Sequence, residues 1–155
     1  NLSPIIGVLA STRSQQHLED FVPSVNRNRA ILTDYRAKEV AYWQGCLDKV
    51  LPVLQQSKRI FLWGAGIHTS QLVANTHLLN KCHVSGLTDT SSLKWGLRQG
   101  DWICQDPASI DWQQGDSVLI SSYASEKEIY DALNWLRDLG VATLRLHNID
   151  DTRAH

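Results

Sequence analysis

The feature that most constrains this chain is a strand that runs straight into a glycine turn and then into a helix. Within Arg59–Ser70, the four apolar residues Ile60 to Trp63 lead into Gly64, Ala65 and Gly66, and a second apolar segment, Leu72 to Leu79, has helical spacing. Strand, tight turn and helix make the first half of a βαβ unit. Gly64 permits the turn, and Gly66 is expected to let the backbone approach a ligand with no Cβ in the way. The free N–H groups that open the helix would then suit a phosphate or a carboxylate.

A chain of 155 residues has the length of one domain with room for an appended segment. Its apolar share of 43% suffices for a core, and its net charge of −1 gives no electrostatic case for nucleic acid or a membrane surface. No run approaches the ~18 apolar residues of a membrane span, and Asn1–Ala10 has neither the basic start nor the apolar length of a signal peptide. Cys46, Cys82 and Cys104 are scattered and odd in number, which points to a reducing, cytoplasmic setting. The chain starts at Asn1 and holds no methionine. That reads as a piece of a longer product, or as methionine analogues missing from the written sequence, in which case some spacings are short by one.

Ile5–Leu9 reads as a short strand or a packed arm, and Ser14–Val22 as a short helix ending before Pro23. From about residue 29 to 56 the apolar spacing is helical: Leu32, Tyr35, Tyr42, Trp43, Cys46, Val50 and Val53 follow steps of three and four, with Glu39 breaking the stripe. Such a helix serves either its own core or a seam to a second copy or a parent-protein domain. Further strands are expected at Cys82–Leu87, Trp102–Cys104, Val118–Ser121 and Ala142–Leu146, the last with one solvated face. Helices are expected over Ile67–Leu79 and Ser125–Leu139, the second with Ile129, Ala132, Leu133 and Leu136 inward and Gly140 as its stop. Ser91–Gly100 reads as a loop, Pro107–Ile110 as a helical turn, and Asn148–His155 as a polar tail. The order of elements predicts an α/β fold: a three-layer, Rossmann-like parallel sheet over residues 59–148, with an N-terminal arm and helical segment over 1–58 and a tail over 149–155.

Each candidate site residue has a functional and a structural reading. Gly64-x-Gly66-x-x-Thr69 is a dinucleotide fingerprint without its third glycine, whose place Thr69 takes; the glycines serve a bound anion or the turn alone. Asp89 follows the second strand, 23 residues after Gly66. It is placed either to take ribose hydroxyls or to hold a turn. Ser121 and Ser122 end the next strand at the same edge, where their hydroxyls face a ligand or, with Ser125 and Glu128, cap the following helix. His68 stands near the helix start as an anion partner, an acid–base group or a surface side chain. His77, Cys82 and His83 lack metal-ligand spacing, so no metal site is assigned. The chain has no nucleophile elbow, no P-loop and no paired carboxylates, and catalytic residues stay unassigned. The six dispersed tryptophans read as packing.

Three runs taken together carry a resemblance: Phe61–Thr69, Gly86–Asp89, and Val118–Tyr123 with Glu126, Glu128 and Ile129. Over residues 59–147 the chain resembles the Rossmann-like accessory domains of bacterial surface-sugar and methyltransferase proteins, which carry a similar glycine turn with a histidine, an acid after the second strand and a serine pair before a helix. Ile67 departs from the polar residue, often Glu, expected before the histidine. The resemblance implies a nucleotide- or cofactor-binding module of a larger sugar- or methyl-transfer protein, without a complete catalytic site of its own. Gly64, Ala65, Gly66, Ile67, His68, Asp89, Ser121 and Ser122 would hold the ligand, with NAD(P), S-adenosylmethionine or a nucleotide sugar as candidates. The alternatives are a fragment of a methyltransferase or nucleotide-sugar oxidoreductase, and an interaction domain that binds no small molecule.

Overall fold

A computed structural model describes residues 13–147, with side chains from residue 25 onward. The arm at Ile5–Leu9 and the tail at Asn148–His155 lie outside the described residues. The chain divides into two compact units, Asn1–Glu39 and Val40–His155. One helix, α1 (Arg13–Leu54), runs through the division. It passes Pro23, where the sequence predicted a stop. Proline's fixed φ is itself helical, so the cost is one hydrogen bond and some bending, and the bias on the preceding residue is a preference that a long helix overrides. In the first unit Ile31, Leu32 and Tyr35 are exposed, and Lys38 pairs with Asp34 one turn away at 2.7 Å.

The second unit is α/β, built on a six-stranded, mostly parallel sheet. After α1 come β1 (Ile60–Trp63), α2 (Ile67–Asn75), α3 (Leu78–Lys81), β2 (Val84–Thr88), β3 (Arg98–Gln99), β4 (Trp102–Gln105), β5 (Ser117–Ile120), α4 (Glu126–Ala132), α5 (Asn134–Asp138) and β6 (Ala142–Arg145). The strand order is β3-β4-β2-β1-β5-β6, and only β3 is antiparallel to its neighbour. β1 and β5 are adjacent and parallel in the middle, and every residue of both is buried. That is what an apolar run without alternation requires, since both faces must be covered.

Alternation along β1 then sorts the core into two clusters. Ile60 and Leu62 pack with Trp43, Cys46, Leu47, Val50 and Leu54 of α1 and with Leu72 and Leu78. Phe61 and Trp63 pack with Val118, Ile120, Ile110, Leu133, Leu136 and Val141. At the amino-terminal edge of these strands, Arg59 grips the buried Asp116 through Nε at 3.0 Å and Nη2 at 2.6 Å, and the carboxylate also takes the Gln113 N–H. This two-pronged bond, with the nearby negative charge, raises the Arg59 pKa further above its usual value.

Several expected elements differ. The helix expected over Ile67–Leu79 breaks at Thr76 and His77, where the Thr76 hydroxyl bonds back to the Leu72 carbonyl and accepts the Leu78 N–H that opens α3. The helix expected over Ser125–Leu139 splits at Leu133, and Ala132 faces solvent rather than the core. β6 has no solvated face, because Thr143 is buried beneath Arg137 and Arg145 reaches across to Glu126. Among the described residues no helix is long and apolar enough to cross a membrane.

Candidate functional site

The strand order reverses direction at β1, with β2 on one side and β5 on the other, and a cavity of about 510 Å³ opens over the carboxyl ends of these three strands. Gly64, Gly66, Ile67, His68, Asp89, Ser121 and Ser122 line it, together with Trp63, Thr90, Ser91, Lys94, Tyr123, Ala124, Ser125 and Ile129. A cleft of similar size, about 520 Å³, lies between Leu79–Val84 and Asp101–Trp102, away from the carboxyl ends. Ligands of open α/β sheets sit outside the carboxyl ends, which favours the first.

The two glycines have different reasons to be there. Gly64 has φ +120°, and a Cβ on it would stand 3.0 Å from the Ser121 carbonyl oxygen. The turn therefore needs glycine at this position. Gly66 is extended, at φ −158°, and a Cβ there meets nothing within 4 Å. Its backbone would accept any residue; what a side chain would fill is the open space of the cavity. Gly66 is also the N-cap residue of α2, and no side chain caps that helix start.

Thr69, in the place of the missing third glycine, is almost wholly buried. Its hydroxyl bonds the Gly64 carbonyl and lies 3.0 Å from the Ser121 hydroxyl, so it staples the turn to the end of β5. Gln99 of β3 holds the same turn from outside, donating to the Gly66 carbonyl at 2.7 Å and the Ser70 hydroxyl at 3.0 Å.

Asp89 is 8% exposed and already well bonded. Its carboxylate accepts the Ala65 N–H at 2.7 Å, the Ser91 N–H at 2.8 Å and the Lys94 ammonium at 2.7 Å. It ties the glycine turn to the loop after β2, and roughly one of its four acceptor sites is left for anything else. Ala65 spends its N–H on this bond and packs its side chain against the first core cluster, so it is not on the cavity wall. Ser125 stands at the N-cap of α4 without a side-chain capping bond, so the expected capping box with Glu128 does not form. Instead Glu126 turns inward, 1% exposed.

His68 is not a free surface group. Its ring meets Trp43 at 5.8 Å, Tyr123 at 6.0 Å and His147 at 5.8 Å. Lys94 and His147 escaped the sequence reading. Lys94 had a weak local signal, a cation five residues past a strand-end acid. His147 had only its place just beyond the last strand, at the carboxyl edge.

Among the described residues no cluster of three or more His, Cys, Asp or Glu could hold a metal. Cys46, Cys82 and Cys104 are free thiols, and burial pushes the pKa of Cys82 and Cys104 up, away from the reactive thiolate. Compared with protein-family models, curated proteins and solved structures, the chain has no match.

Proposed function

We propose that this chain is a Rossmann-like module that binds a nucleotide-type ligand within a larger cytoplasmic sugar- or methyl-transfer protein, without a complete catalytic site of its own. The observation that carries the reading is the uncapped start of α2, opening beside a cavity at the carboxyl ends of the strands where their order reverses. The five parallel strands run in the order third, second, first, fourth, fifth, which is the doubly wound nucleotide-binding order without its sixth strand. An anionic group of the ligand would take the N–H groups of Gly66, Ile67 and His68, with Lys94 as the cation on the cavity wall. The Ser121 and Ser122 hydroxyls and the faces of Ile67, Tyr123 and Ile129 would hold its remainder. Asp89 serves first as a brace of the turn and offers a ribose little acceptor capacity.

Thermal-shift assays with NAD, NADP, S-adenosylmethionine and UDP-glucose test the proposal. A true ligand near 100 times its dissociation constant is expected to add about 2.7 kcal/mol of stability. In Gly66→Val the branched side chain fills the space where the anion approaches, so the variant should melt like the parent yet bind the same compound at least tenfold more weakly. No shift with any of the four, or equal binding by the variant, would remove the nucleotide reading. The interaction-domain reading would then take its place, favoured by Ile31, Leu32 and Tyr35, which are 57%, 67% and 66% exposed on α1.

A further inference from the structure

His147 carries the one buried side-chain polar atom without a hydrogen-bond partner among the described residues, its Nε2. The residue is 8% exposed, and its other two nitrogens are engaged. Nδ1 lies 3.0 Å from the Tyr42 hydroxyl, with the Cys46 thiol at 3.9 Å, and the backbone N–H donates to Glu126 Oε1 at 2.7 Å. The rest of the ring is enclosed by Trp43 at 5.3 Å, Tyr123 at 5.1 Å and His68 at 5.8 Å, all T-shaped. His68 lies in the first turn of α2, and both His68 and Tyr123 line the cavity. The unpartnered imidazole thus stands directly behind two side chains of the cavity wall. Tyr123 is half exposed, on the loop between β5 and α4, so a turn of this one side chain would open the way from the cavity to the ring.

We infer that His147 is a hidden contact of the same ligand site: its Nε2–H bonds the ligand's anionic group alongside the α2 start, and the imidazole takes up a proton from solvent as the ligand binds. This rests on the reading of the cavity as a nucleotide-type site. The chemistry is one N–H bond formed, the proton coming from the buffer. The groups facing the imidazole are Tyr42 and Cys46 from α1, His68 from α2, Tyr123 from the loop after β5, Glu126 from α4, and Arg145 behind Glu126 on β6. Burial lowers the His147 pKa below its usual value; the Glu126 charge opposes this and His68 adds to it. The empty site therefore holds a neutral ring at neutral pH. Tyr42, pushed up to about 12 chiefly by burial and then by its bond to Cys46, stays a neutral phenol and supplies no competing charge. An anion at Nε2 favours the imidazolium and so raises the pKa in the complex.

The sign follows from linkage. Where the bound form holds more protons than the free form, affinity rises as pH falls, by up to about tenfold per pH unit between the free and bound pKa values, and levels off below the free one. The test is calorimetry on the full chain with NAD, NADP, S-adenosylmethionine and UDP-glucose from pH 8 to 6, in buffers of different ionisation heat, on wild type, His147→Gln and His68→Gln. Imidazole NMR of the wild type with and without each compound reports the same event without a variant. The expected result is tightening toward pH 6 with proton uptake, a His147 titration that moves up on binding, and a flat profile in His147→Gln. A compound that binds with the same pH slope in His147→Gln as in wild type, or a slope lost only in His68→Gln, or an unmoved His147 titration, would overturn the inference and leave the nucleotide reading intact. Absence of binding by all four compounds at any pH would overturn both.

Discussion

Gly64→Ala is expected to cost roughly 2–4 kcal/mol of stability, while Gly66→Ala, two residues away, should change it by no more than about 0.5 kcal/mol. At Gly64 the backbone sits at φ +120°, where an L side chain is strained, and the new Cβ would press on the Ser121 carbonyl oxygen at 3.0 Å. Neither party can yield cheaply. The Ser121 N–H is bonded to the Trp63 carbonyl at 2.9 Å, and the Gly64 N–H to the Thr88 carbonyl at 2.8 Å, so the turn is locked between β2 and β5. At Gly66 the extended backbone suits alanine, the methyl meets nothing within 4 Å, and the loss of glycine's advantage over alanine at a helix N-cap is offset by the unfolded-chain entropy that alanine removes. Urea unfolding of the two variants side by side reads the contrast. Equal losses would mean that the turn is not the one described.

That contrast also marks how far the sequence could be read. Two glycines bracketing one residue after an apolar run announced a strand, a turn and a helix, but their φ values are set by how β1 leaves the sheet between β2 and β5, which no local pattern records. The central strands were legible because Ile60–Trp63 and Val118–Ile120 are apolar on successive residues, a demand for cover on both faces. β6 was misread because Thr143 and Arg145 look like residues for water; in the fold Arg137 and Glu126 come from the neighbouring helices to partner them. The break at Leu133 was invisible for a related reason, since the apolar spacing of α4 and α5 continues across it. Asp89 was found from its spacing, while its three bonds to Ala65, Ser91 and Lys94 depend on the folded turn. The His147 cluster was out of reach altogether. Tyr42 and His147 are 105 residues apart, Trp43 follows Tyr42 on α1, and His68 and Tyr123 come from α2 and the loop after β5, so only the assembled sheet brings them together.

Glu126→Ala is expected to destabilise the second unit by about 3 kcal/mol. A glutamate in the first turn of a helix ordinarily faces water and answers the helix dipole, a role worth about 0.3–1 kcal/mol. The fold buries it to 1% exposure and gives it two tasks. Oε1 accepts the His147 N–H at 2.7 Å and Oε2 faces Arg145 Nε at 3.3 Å. The first bond ties the end of β6 to α4, and the second places opposite charges together where water is excluded, with the Arg145 side chain 15% exposed. Alanine removes both at once. It leaves a buried backbone N–H without its acceptor, takes one carboxylate away from the Arg145 guanidinium, and opens a void where the buried Glu126 side chain stood. Glu126→Gln separates these losses, because its amide oxygen can still take the N–H while the charge is gone. It should cost about half as much. Chemical denaturation of both variants gives the comparison: alanine costing under 1 kcal/mol would show that the pair carries little, and glutamine costing as much as alanine would show that charge, and not the backbone bond, holds β6 in place. His147 supplies an independent readout in the same variants. The Glu126 charge favours its imidazolium, so losing that charge should move the ring's titration to lower pH in Glu126→Gln even where the fold survives.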